Sequence, residues 1–253
     1  MFKDRLRQIA VLVSTLMMIT VSSAAGLGMI NDVSTAEIAQ RLNILIIPAS
    51  YAFAIWGVIY VGLLLLSIYQ VLPANREIPV LRKAGWWMVM ANTAQITWII
   101  SWHYQSTLLA LAMMIFMLTA LIMIYLHLEI GVSKTSNGMR WMVHLPISIF
   151  IAWITGAVIG NVGDYLYHAK WHGFGLAPEI WAVAMLVLGA VISEMVAYNR
   201  RDIAFLAVMV WAFVAIGVKT VEVSPIFEAA CVAAVVVSIM GIVSLIFKRK
   251  VID

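Results

Sequence analysis

The chain has 253 residues, 64% of them hydrophobic and 11% charged, with a mean hydropathy of +1.01. A water-soluble domain carries about 45–50% apolar and ~25% charged residues, so the composition excludes one and points to a polytopic, all-α integral membrane protein. The formal net charge is +4 and there is one cysteine, Cys231; a single thiol in an apolar run makes no internal disulfide and is read as a small hydrophobe.

A spanning helix takes about 20 apolar residues. Eight such segments are predicted, over 8–30, 49–72, 85–103, 106–127, 140–163, 178–198, 203–219 and 225–247. Over residues 1–26, MFKDRLR, an apolar run and SSAAG have the layout of a signal peptide. The apolar run continues to Ile30, which suits a retained span. PANREIPVLRK separates the second and third segments, and HLEIGVSKTSNGMR the fourth and fifth. NRRD separates the sixth and seventh, and only HYQS joins the third to the fourth, which predicts a tight antiparallel hairpin.

Charge tests this division. With the N-terminus inside and the sides alternating, the inner loops and tails hold Lys3, Arg5, Arg7, Arg76, Arg82, Lys83, Lys134, Arg140, Arg200, Arg201, Lys248, Arg249 and Lys250. The outer loops hold Arg41, Lys170 and Lys219. Thirteen of the 16 basic residues thus fall on one side, the skew that the positive-inside rule requires of a correct segment count. The expectation is eight crossings with both termini cytoplasmic, in a bacterial inner membrane.

Trp86, Trp87, Trp141, Trp171 and Trp181 fall at segment ends, where the amphipathic indole anchors a helix at the interface. Trp56, Trp98, Trp102 and Trp153 do not. Trp56 and Tyr60 are i, i+4 on the second segment; Asn92, Gln95, Trp98 and Trp102 follow one another along the third. Trp153, Ala157, Asn161 and Asp164 fall at i, i+4, i+8 and i+11 on the fifth. Lipid offers an amide no partner, so these stripes should face protein or a cavity. Three segments therefore bring aromatic and polar groups to one depth in the outer half of the bilayer. Two readings follow: an outward-opening ligand pocket, or side chains that only bridge helices. Gly156 and Gly160, with Ser22, Ala25 and Gly26 on the first segment, form smooth faces expected to receive another helix.

PASYAFAIWGVIY (48–60) resembles the segment that opens the second helix of TspO/MBR proteins, the tryptophan-rich sensory or translocator proteins. ANTAQITWIISW (91–102) is similar to their third-helix motif, and AWITGAVIGN (152–161) to their fifth, with Ala and Asn four and eight residues after Trp. The departures are Gln95 in place of the family's amide Asn, a single Pro48, a shorter Phe53–Trp56 spacing, and no Pro-Tyr before the fifth-helix Trp. The resemblance implies a five-helix bundle over residues 1–165, with a three-helix extension over 166–253. It further implies binding of a lipophilic ligand, porphyrin-like or sterol-like, beneath the loop after the first helix. Here that loop is NDVSTAEIAQRLNILI (31–46), long enough for a lid.

The pocket is expected to use Trp56, Trp98, Trp102 and Trp153 as walls, beside Ala157, with Tyr60, Asn92, Gln95, Asn161 and Asp164 as polar orienters. No cofactor is required; a tetrapyrrole is a candidate ligand. No metal site is expected: Asp164, His168 and His172 offer zinc-ligand chemistry without a diagnostic spacing. No nucleotide-binding glycine loop, hydrolytic triad order or CxxC occurs, so enzymatic activity is not favoured. Membrane lipid and a lipophilic small molecule are the expected partners, a homodimer is left open, and nucleic acid has no footprint. The expected function is ligand binding for sensing or transport. The alternatives are a small secondary transporter, for which no repeat or broken helix is visible, and a scaffold without ligand.

Overall fold

The computed structural model describes residues 2–42 and 44–246. The basic tail Lys248, Arg249 and Lys250, and the last residue of the eighth expected span, lie outside the described residues. In chain order, α1 (Phe2–Gly26) is followed by a short helix α2 (Thr35–Arg41), and a 3-10 turn (Ser50–Ala54) runs into α3 (Ile55–Val71). Next come α4 (Pro79–His103) and α5 (Thr107–His127). A single turn, α6 (Asn137–Met139), passes through a π turn (Arg140–His144) into α7 (Leu145–His168). The chain ends with α8 (Pro178–Arg200), α9 (Ile203–Lys219) and α10 (Ser224–Ile246).

Every expected segment is therefore helical, but the helix count is nine among the described residues, taking Asn137–His168 as one run, because α2 forms in the loop after α1. Six of these helices are long and apolar enough to cross a membrane. The two expected segments outside that group have physical reasons for it. The polar stripe of Asn92 and Gln95 lowers the hydropathy of α4, whose inner face is buried. At 17 residues α9 spans only about 25 Å against a hydrocarbon core of about 30 Å.

Local chemistry sets the boundaries. Pro79 and Pro178 occupy the first turns of α4 and α8, where a missing N–H costs nothing. Asp202 caps α9 by accepting from the Phe205 N–H at 3.2 Å. The π turn precedes Pro146, which has no N–H to donate and whose ring presses on the turn behind it. The backbone widens there, and the Leu145 N–H bonds five residues back to the Arg140 carbonyl.

α4 packs between α1 and α5, α7 lies against α5 and α3, and α9 joins α7 to α10. The close approaches are made by glycines other than those expected. A Cβ on Gly62 of α3 would come 3.0 Å from Pro146 of α7, and one on Gly85 of α4 would come 2.5 Å from the Arg7 stem of α1. At Gly26, Gly156 and Gly160 an added Cβ meets no atom within 4 Å, so no helix of this chain packs on them. At these three positions the expected close helix contact is not made within the chain: an added Cβ would stand in open space.

Polar contacts join elements at two ends of the bundle. At the end rich in basic residues, Gln8 and Gln70 each donate to the other's backbone carbonyl. There Arg82 forks onto Asp4 at 2.9 and 3.0 Å, and Arg7 donates to the Arg76 carbonyl at 3.1 Å. The α8–α9 turn docks onto α5 and the loop after it at this end. Tyr125 donates to the Asp202 carboxylate at 2.9 Å, and Gly131, at φ +77°, lies against the Arg200 carbonyl. A Cβ at Gly131 would sit 1.9 Å from that oxygen.

Gly131→Ala is expected to destabilise by ~2 kcal/mol through backbone strain and displacement of the turn. That corresponds to an apparent Tm in detergent lower by roughly 5 °C at this chain length; an unchanged Tm would contradict the docking contact.

Candidate functional site

At the opposite end the loop after α1 folds over the bundle. Ser34 and Glu37 form a reciprocal capping box at the start of α2: the Glu37 N–H reaches the Ser34 hydroxyl at 3.2 Å and the Ser34 N–H reaches the Glu37 carboxylate at 2.7 Å. The Ser34 N–H holds the Glu37 carboxyl below its ordinary value. The ionised cap therefore persists as pH falls and is lost only once pH passes below that lowered value. The loop is tied down at three places. The His103 ring lies 3.0 Å from both the Thr35 hydroxyl and the Asn31 side-chain oxygen. Ile44 rests against Gly163 of α7, and the Ala49 N–H donates to the Ala215 carbonyl of α9.

Beneath this lid α3, α4 and α7 bring their indoles together. Trp56 is the hub. Trp98 lies nearly parallel to it at 6.2 Å, Tyr60 is stacked on it at 5.7 Å, and Trp153 meets it edge-on at 6.4 Å. Phe53 is edge-on to Trp153 at 5.9 Å, and Trp102 is 5.9 Å from Trp98. Edge-on and offset rings at such separations attract through their quadrupoles. One hydrogen bond joins α4 to α7: Trp98 Nε1 donates to Asn161 Oδ1 at 2.9 Å, both side chains being buried. Asn161 in turn donates to the Ala157 carbonyl one turn back.

These rings do not fill the space between their helices. They line a cavity of about 90 Å³ that is partly open to the surroundings. Trp56, Trp98, Trp102, Trp153, Ala157 and Asn161, all expected site residues, line it. Gly156 and Gly160 line it too; their missing side chains leave cavity, not room for a helix. The remaining walls are Thr35, Ala39, Ile46, Ile47 and Pro48 from the lid, Phe53, Ala152, and Ala212 with Ile216 from α9.

Four expected residues lie off the wall. Tyr60 backs Trp56 from behind. Asn92 turns to α1, donating to Thr15 Oγ1 at 2.9 Å and Ser14 Oγ at 3.1 Å, so it bridges helices. Gln95 is wholly buried, with neither amide atom partnered. Asp164 is buried one turn beyond Asn161 and sits 3.2 Å from the His168 ring. His168 and His172 are exposed, and among the described residues no three His, Cys, Asp or Glu side chains gather at a metal-holding distance.

Trp211 was not among the expected residues. It donates to the Ala52 carbonyl at 3.2 Å and meets Tyr51 edge-on at 5.3 Å, fastening α9 to the turn that opens α3. Its position was the available signal: it falls in the middle of its segment, where an interfacial belt has no use for an indole.

A bundle of apolar spanning helices, with an indole-lined cavity under a hydrogen-bonded lid, defines the class: an integral membrane protein of the TspO kind. The family model described as TSPO-like protein matches residues 8–244, and the chain belongs to that family. The match runs past residue 165 through α8 and α9 and into α10. No curated protein and no solved structure matches the chain significantly.

Trp98→Phe and Asn161→Leu, made singly and together, test the α4–α7 bond. Each single change strands or removes a buried partner, so the double variant is expected to cost ~1 kcal/mol less than the sum of the two. Strict additivity of the melting shifts would show that the bond contributes nothing.

Proposed function

We propose that this protein binds a lipophilic small molecule in the cavity between α3, α4 and α7, for sensing or transport. The observation that carries the reading is an unfilled, indole-lined space under a lid, with Gly156 and Gly160 on its wall. Interiors are normally packed to crystal-like density, so aromatic side chains held apart around free space suit a flat or elongated apolar guest. Porphyrin-like and sterol-like molecules are the classes to test first. In this reading the chain crosses a bacterial inner membrane eight times, with both termini cytoplasmic and the lid outside. The skew of basic residues supports that orientation.

Gly156→Leu separates this reading from a scaffold without ligand. A Cβ at Gly156 meets nothing within 4 Å, so the new side chain enters the cavity. Removing a helical glycine is expected to hold or raise stability, by up to ~1 kcal/mol. Tryptophan quenching by a porphyrin or by a fluorescent sterol should be saturable in the wild type and lost in the variant. Equal quenching in both, or none in the wild type, would refute ligand binding at this cavity.

A further inference from the structure

The cavity is not sealed evenly. Its wall residues on α2 and α4, Thr35, Ala39, Trp98 and Trp102, are buried. Its half-buried wall lies on one side: Pro48 and Phe53 ahead of α3, Gly156 and Gly160 on α7, and Ala212 on α9. α3 and α9 both pack on α7, and α9 meets the turn that opens α3. The accessible side of the cavity is therefore the seam between residues 48–54 and α9. Two hydrogen bonds cross that seam, from the Ala49 N–H to the Ala215 carbonyl at 3.1 Å and from Trp211 Nε1 to the Ala52 carbonyl at 3.2 Å. On its outer surface Tyr51 and Trp211 are exposed, 44% and 39%, and meet edge-on at 5.3 Å.

Depth decides what the seam faces. Gly156 lies at the middle of α7 and Trp211 at the middle of α9. The middle of a spanning helix is at the level of hydrocarbon, not of water. The end of the cavity at the helix ends is covered by the lid, which the Asn31 side chain and both His103 ring nitrogens hold to α4. The seam is built to part more readily. When Trp211 lets go, the Ala52 carbonyl keeps the Ile55 N–H, so that acceptor is not stranded. Resting on the lipophile-binding reading above, we propose that the guest enters sideways from the bilayer, through the seam between residues 48–54 and α9, with Tyr51 and Trp211 as its gate. The substrate class is then an uncharged molecule already dissolved in hydrocarbon. The wall offers no charged side chain, and a charge at that depth is costly.

Two reversible locks separate the routes, each made in the full chain with Cys231→Ser and studied in lipid nanodiscs. Ala49→Cys with Ala215→Cys locks the seam, because backbones joined at 3.1 Å bring the two Cα atoms within disulfide reach. Ile44→Cys with Gly163→Cys locks the lid, because a Cβ at Gly163 stands 3.2 Å from Ile44 Cγ2. Anthracene is the probe, followed by tryptophan quenching. The oxidised seam lock is expected to slow association and release by ~10-fold or more, and reductant to restore them. The oxidised lid lock should leave both rates unchanged. Trp211→Phe, which needs no disulfide, should speed both rates several-fold at unchanged Kd, the effect of removing one net hydrogen bond from the closed seam. Slowing by the lid lock, no slowing by the seam lock, or wild-type rates in Trp211→Phe would overturn the lateral route alone. Failure of anthracene to bind the wild type would overturn the cavity reading with it.

Discussion

The hydrogen bond from the Trp98 indole to the Asn161 amide organises the half of this protein that holds the cavity. Hydrocarbon offers neither group a partner, so each must find one inside the bundle. By finding each other at 2.9 Å they fix the spacing of α4 and α7 at the level where Trp56 and Trp153 project between them. The helices are held apart by their largest side chains, and the glycines of α7 leave the remaining space empty. The cavity follows from that constraint: two helices tied by a polar bond and propped by indoles cannot close onto one another.

The last three helices are part of this arrangement. α9 contributes Ala212 and Ile216 to the cavity wall, and Trp211 binds it to the turn that opens α3. At the other end Asp202 and Arg200 hold the α8–α9 turn against α5 and the loop that follows it. α9 is thus fastened at its start through Asp202 and along its second half through Trp211 and Ala215. Together with the family match that runs into α10, this makes α9 part of the bundle that bounds the cavity. The lid is fixed in turn to α4 through His103 and to α9 through Ala49.

Much of this was legible in the sequence because membrane burial leaves few options for polar residues. The segments follow from apolar length. The inward stripe of α4 follows from amides that cannot face lipid. The misreadings have angular causes. At 100° per residue Asn92 lies about 100° round the helix from the Trp98–Trp102 stripe, which is why it meets Thr15 of α1 instead of the cavity. By the same geometry Gly160 lies within about 20° of Trp153, so the glycines adjoin the aromatic stripe and share its cavity. Asp164 has the right angle and the wrong height, one turn beyond Asn161. α2, by contrast, is held by its capping box and by contacts with α4. Seven residues are too few for a helix to stand by itself, and the tertiary contacts were not visible in the sequence.

Photolabelling with a hydrocarbon diazirine, followed by peptide mapping of the adducts, measures directly whether an apolar guest occupies the space between the indoles. The expected result is saturable labelling of the peptides that carry Trp56, Trp98 and Trp153 to Ala157, competed away by unlabelled lipophile. Labelling that falls only on the outward faces, such as Val232 and Val235 of α10, with nothing inside the bundle, would contradict it.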